Sequence, residues 1–356
     1  MLAIVTFVCL LLSFTISAAP TPKAVFRQSY FKRQGDAAST DLTVVKFAAL
    51  AESLESTFYA QGLAKFGESD CLNAGISNAQ VFLDQIKIIA EDEKIHLTTL
   101  QAVAQSLGSD TSDVDTCQFD FSAALGSVKT FLQTARVLEF IGVDAYIGGA
   151  TLSSDKSLLV SAAEILTVEA RHSSQLNAFN GGSSIPNAFD MVLSPQQVLS
   201  VAAPFISGGC DPMAALGLQP TPALSLTNAE AIGTGTSLTF GGAGLEGQDQ
   251  STLFCNMIVG GASEALVFPI PSCVVPDGLD GPVHIFVTNS ETPLSANIVG
   301  QDAGIIVAGP VVTFIDAVSS SEAELLLGQV SAASGHIASP KVIEKIIVIS
   351  GGVGTT

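Results

Sequence analysis

FLDQIKIIAEDEKIHLTTL, residues 82–100, decides the fold. Its apolar positions Phe82, Ile86, Ile89 and Leu100 recur at steps of three and four, the spacing of a buried stripe on an α-helix, and the same stripe passes through Glu93 and His96. An acid and an imidazole therefore stand where packing calls for hydrocarbon. AAEILTVEARHSSQL, residues 162–176, repeats the arrangement, with Ala162, Ile165, Glu169, His172 and Leu176 on one stripe.

Working outward, helical spacing predicts four helices near 41–66, 78–107, 124–152 and 155–178. Gly67–Asp70 and Asn73–Gly75 break the first pair, and Ser153 and Ser154 are expected to cap the fourth helix. The first helix lines up Val45, Ala49, Glu52 and Tyr59; the third lines up Val128, Leu132, Ala135, Glu139, Gly142 and Tyr146. Each stripe thus carries one acid. The long polar connection from Gly108 to about Phe121 suits a crossover along a bundle better than a tight hairpin.

Four buried carboxylates without cations would repel one another and take up protons. Two divalent cations neutralise them. A Glu from each of two helices plus Glu-x-x-His from each of the other two is the ligand set of a carboxylate-bridged dinuclear centre. The expected metal ligands are Glu52, Glu93, His96, Glu139, Glu169 and His172. Mixed oxygen and nitrogen donors suit iron or manganese better than a closed structural zinc site. Tyr59 and Tyr146 each follow a ligand by seven residues, placing a phenol where it can donate to a carboxylate on another helix. The two halves differ at Glu55, whose counterpart is Gly142. Glu55 reads equally as a fifth acid near the metals or as a solvated neighbour.

ALAESLESTFY, EDEKIH, LEFIGVDAYIGGA and VEARHSS together resemble the ferritin-like domain of desiccation-related proteins and of fungal secreted stress-response and late-sexual-development proteins. The resemblance covers about 40–180. It extends further, since IPNAFDMVLSPQQVLSVAAPFISGGC and VPDGLDGPVHIFVTN with VAGPVVTF are similar to the C-terminal part of the fungal members. It implies a four-helix ferritin-like fold with metal positions at the six residues named above, and it brings no settled activity. The crossover topology makes the second and third helices parallel. The loop holding Cys71 and the segment holding Cys117 then fall at one end of the bundle, and a Cys71–Cys117 disulfide is expected. Cys255 with Cys273 is the second expected pair, and Cys210 is left without an assignment.

The remaining chain divides into a linker at 181–219 with one helix at 195–206 capped by Ser194, an antiparallel β-sandwich-like or barrel region at 220–317, and a tail at 318–356 with an amphipathic stretch at 321–331. The β region holds His284, Cys255, Cys273 and Met257, with Met213 just before it in the linker, but the two-histidine, one-cysteine spacing of a copper site is absent, so packing or an extracellular or cell-wall partner is the expected use. At the other end, residues 1–19 read as a secretory signal peptide and 20–40 as a basic leader. Lys32-Arg33 within it is either a dibasic processing site or part of a leader that stays attached.

The whole chain has a formal charge of −19, from 14 Lys+Arg and 33 Asp+Glu. Its first 33 residues hold four of the cations and no acid, so the rest carries −23, a field that repels nucleic acid and attracts metal ions. No later apolar run has the ~18 residues of a membrane span. Expected, then, is a secreted protein with two functional readings: a metal-dependent oxidoreductase acting on dioxygen or peroxide, or a non-enzymatic protein of stress, drying or development with an inherited bundle.

Overall fold

The computed structural model describes residues 35–229, 231–317 and 320–327. The expected signal peptide and most of the leader, 1–34, and the tail beyond Leu327 lie outside them. The first elements are α1 (Gly35–Lys65), the short α2 (Glu68–Asn73) and α3 (Ala79–Ser106). Helix α1 takes in residues 35–40, which the sequence reading placed in the leader. Asn78 starts α3 by accepting the Val81 amide at 3.2 Å.

The crossover carries α4 (Ser112–Asp115) and β1 (Gln118–Phe119), then α5 (Val128–Ala150) and α6 (Lys156–Phe179) complete the bundle. Helix α1 packs on α3, and α5 packs on α6. The cap of α6 differs from expectation. Asp155, a stronger acceptor than serine, takes the amides of Ser157 and Leu158 at 2.8 and 3.2 Å. Ser153 and Ser154 instead donate to Asp41 at the start of the bundle, fastening the α5–α6 turn to α1.

Next come α7 (Pro195–Ala202), β2 (Ile206–Gly208) and α8 (Pro212–Leu216). Ser194 caps α7, its hydroxyl taking the Gln197 amide while the Gln197 side chain accepts from the Ser194 amide. Strand β2 pairs antiparallel with β1, and beside that pairing Cys117 is bonded to Cys210. The expected Cys71–Cys117 bond is therefore not formed. Cys117 follows α4 in the crossover, clustered with Phe47, Leu50 and Val114, whereas Cys71 packs with Phe58, Ile76 and Phe121. The crossover runs the length of α1 between those two clusters. Among the described residues Cys71 is the one free thiol, and it is buried.

The β region holds the ribbon β3 (Ser225–Leu226) with β4 (Phe240–Gly241) and a four-stranded antiparallel sheet made of β5 (Phe254–Val259), β6 (Leu266–Pro269), β7 (Gly281–Thr288) and β8 (Ile306–Ile315). The strand order is β6-β5-β7-β8. Cys255 and Cys273 are joined. Strand β7 is buried along both faces, which explains its nearly continuous apolar run. Phe286 packs into the cluster that holds Phe140 and Ile141 of α5, while Val283, Ile285 and Val287 pack with Leu224, Leu238 and Leu245. The second layer over the sheet is thus loops and a short ribbon, and the other face rests on the bundle. A last helix, α9 (Ser321–Leu327), packs on α6.

Two polar anchors join bundle to sheet. Arg136 on α5 donates to both carboxylate oxygens of Asp316 at 2.8 and 2.7 Å and to Asn177 Oδ1 at 2.6 Å, with its guanidinium 3.8 Å from the Phe314 ring centre. Asp144 on α5 faces His284 of β7 at 2.7 Å, both wholly enclosed. No described helix is long and apolar enough to cross a membrane.

Candidate metal centre

Helical spacing brings Glu52 of α1, Glu93 and His96 of α3, Glu139 of α5, and Glu169 and His172 of α6 to one depth inside the bundle. The four carboxylates are 0% exposed and the two imidazoles 7% and 5%. Their donor atoms form two overlapping sets, each gathered within 4.8 Å: Glu52, Glu93, His96 and Glu169, and then Glu93, Glu139, Glu169 and His172. Glu93 and Glu169 belong to both.

His96 Nδ1 lies 3.2 Å from Glu169 Oε1, 3.3 Å from Glu93 Oε2 and 3.4 Å from Glu52 Oε2. His172 Nδ1 lies 2.8 Å from Glu93 Oε1 and 3.1 Å from Glu139 Oε2. Several of these oxygens, namely Glu52 Oε2, Glu93 Oε1 and both of Glu169, have no hydrogen bond of good geometry although buried. The donors are aimed at shared points between them. Orphaned buried oxygens of this kind fit cations better than they fit one another.

Electrostatics says the same. Burial, then repulsion from Glu93, Glu139 and Glu52, pushes the Glu169 carboxyl well above its usual range. Burial and the neighbouring acids push Glu93 up to about 8. Burial opposes charge on His96, but hydrogen bonds to Glu169, Glu52 and Glu93 outweigh it and hold the imidazolium up to about 12. His172 is raised in the same way by Glu139, Asp92 and Glu93. Without metal, protons do the neutralising.

The tyrosines cross between halves. Tyr59 of α1 donates to Glu139 Oε1 at 2.5 Å, and Tyr146 of α5 donates to Glu52 Oε1. Each phenol leaves the other oxygen of its carboxylate pointing inward. Glu55 is buried, which removes the solvated reading. It belongs to neither donor set among the described residues. Gly142 makes room for it: a Cβ there would come 2.5 Å from Glu169 Oε2 and 3.4 Å from Glu55 Oε1.

The model for the ferritin-like domain matches residues 40–181. Residues 40–181 are a ferritin-like domain. The match ends where the bundle ends and leaves the β region outside it. A search of curated proteins finds no match to the chain.

The ferritin-like domain also uses residues that sequence reasoning missed. Asp92 Oδ2 lies 3.2 Å from His172 Nε2, which leaves Nδ1 facing the acids. The signal was available, because a ligating imidazole needs an acceptor on its far nitrogen and Asp92 precedes Glu93. The corresponding residue before Glu169 is Val168, so His96 has no matching carboxylate from that position. Arg136, Asp144 and His284 were missed as anchors because their partners lie far away in sequence.

Proposed function

We propose that the ferritin-like domain holds a dinuclear iron or manganese carboxylate centre, with Glu93 and Glu169 shared between the ions, Glu52 and His96 completing one position, and Glu139 and His172 the other. The observation that carries this is the pair of donor sets with two acids in common. When bound, such a centre supplies one- or two-electron chemistry toward dioxygen or peroxide. The chain's own residues hold that site ready: the phenols of Tyr59 and Tyr146 orient the unshared carboxylates, Asp92 fixes the His172 ring, and the apolar stripes above and below exclude water. Two disulfides among the described residues support an exported protein, since such bonds persist in oxidising compartments.

Metal analysis of protein from its own secretion route should find two ions per chain, lost on combining Glu93→Ala with Glu169→Ala. Protein that takes up neither iron nor manganese would overturn the assignment. A second reading is favoured by the way α5 serves as a wall for both the bundle and the sheet: a protective or structural protein in which metal only stiffens the core. In that case metal removal lowers thermal stability with no oxidase, peroxidase or catalase activity to lose.

A further inference from the structure

Beside the acid cluster a cavity of about 60 Å³, counted at the centres of water-sized spheres, opens between α1, α3, α5 and α6. On that measure a water needs ~10–15 Å³, so the space takes roughly five such units. Small residues make it a slot. Ala48 and Ala51 on α1, Ala145 and Gly149 on α5 and Ala162 on α6 leave unfilled what larger side chains would occupy. Val103 and Ile165 form apolar walls. Ala48, Thr99 and Ser161 are half-buried, which marks where the slot reaches solvent. Its inner limit is Glu55 with Gly142 and Tyr146, the side of Glu169 that a Gly142 Cβ would strike.

We propose that this slot binds a short, uncharged alkyl alcohol, with the methylene chain between the alanines and the hydroxyl on the Glu55 carboxyl. The small volume argues for a short chain and the lining for an apolar one, because a charged group would be stripped of water there with little to replace it. The inner end argues for the hydroxyl. Glu55 makes no hydrogen bond among those described, and a hydroxyl can donate to a carboxylate or exchange hydrogen bonds with a carboxylic acid, so the pairing holds in either state. A carboxylate head would lose its water in this apolar slot with no lysine or arginine in the lining to pair with it. The inference deepens the proposed function by naming what reaches the edge of the centre, and rests on that reading only for the presence of metal behind Glu55.

The test is saturation-transfer NMR on the metal-free full chain with ethanol, 1-propanol, 1-butanol and 1-hexanol as probes. Affinity should rise about fourfold per methylene, or roughly sixteenfold from ethanol to 1-butanol, and then level off as the tail reaches solvent. Diethyl ether, of the same atom count as 1-butanol but without a donor, should bind about threefold to tenfold more weakly. Ala48→Leu and Ala162→Leu, each filling the mouth from a half-buried position, should abolish the chain-length dependence. The proposal is overturned if affinity does not follow chain length, if both filled variants bind as the parent does, or if butyrate or butylammonium binds more tightly than 1-butanol. Because no metal is present, its failure leaves the metal analysis standing, and the absence of metal uptake leaves alcohol binding standing.

Discussion

Gly142→Ala separates the proposed metal site from the fold that carries it. The added methyl would lie 2.5 Å from Glu169 Oε2, against an ordinary contact of 3.4 Å or more, so that oxygen must retreat by about 0.9 Å. Glu55 Oε1, already at 3.4 Å, narrows the directions open to it. Glu169 is one of the two acids common to both donor sets, so the displacement disturbs both positions together. Disturbing ligand orientation typically costs ~10–100-fold in metal affinity, and that is the loss expected here. The same substitution removes a helix-interior glycine, worth up to about 1 kcal/mol in favour of alanine. Metal-free Gly142→Ala should therefore melt no lower than the parent while binding iron or manganese at least tenfold more weakly in competition with a chelator. Parental affinity in the variant would refute the placement of Glu169, and so would a metal-free protein that fails to fold.

Metal uptake should depend steeply on pH. Glu93 is held up to about 8 and His96 up to about 12 without metal, so both carry protons at neutral pH that binding must displace. Affinity should fall at least about tenfold per pH unit from 8 to 6, with calorimetry in buffers of different ionisation enthalpy counting the protons; a flat profile contradicts the coupling. Arg136→Met should cost about 2–3 kcal/mol in guanidinium unfolding, below the ~3–5 kcal/mol of a fully enclosed pair because the Asp316 side chain is 33% exposed. Asp316→Asn should be non-additive with it, and additive losses would break the argument. Replacing Cys117 and Cys210 together by serine should cost about 2–4 kcal/mol. Non-reducing peptide mapping should find Cys71 unpaired, its thiol raised by burial and by Asp70 and slow to alkylate until the protein unfolds.

The buried acid cluster was legible because a bundle core tolerates few exceptions. Glu52, Glu93, Glu139 and Glu169 interrupt apolar stripes, and an interruption repeated on four helices at one depth has few explanations besides cations. The echo of Glu52-to-Tyr59 in Glu139-to-Tyr146 pointed to phenols bonding across halves. Periodicity speaks only about a residue's own helix, so it missed contacts made by topology. Arg136 meets Asp316 across 180 residues, and Cys117 meets Cys210 across 93. Asp92 was hidden differently: it stands in an acidic run, partly exposed, and only the ring of His172 distinguishes it from its solvated neighbours.

Helix α5 has no neutral side. Glu139, Gly142 and Tyr146 look into the acid cluster, while Phe140, Ile141 and Asp144 look toward the sheet, and 1.9 Å is all that would separate a Cβ on Gly148 from the Leu193 carbonyl oxygen. A chain cut at residue 181, where the family match stops, would uncover the second set to water and strand Asp144 without His284 and Arg136 without Asp316. The seam visible in the sequence is therefore not a seam in the folded protein. Shuffled into another gene, the bundle would travel safely only with the sheet it leans against.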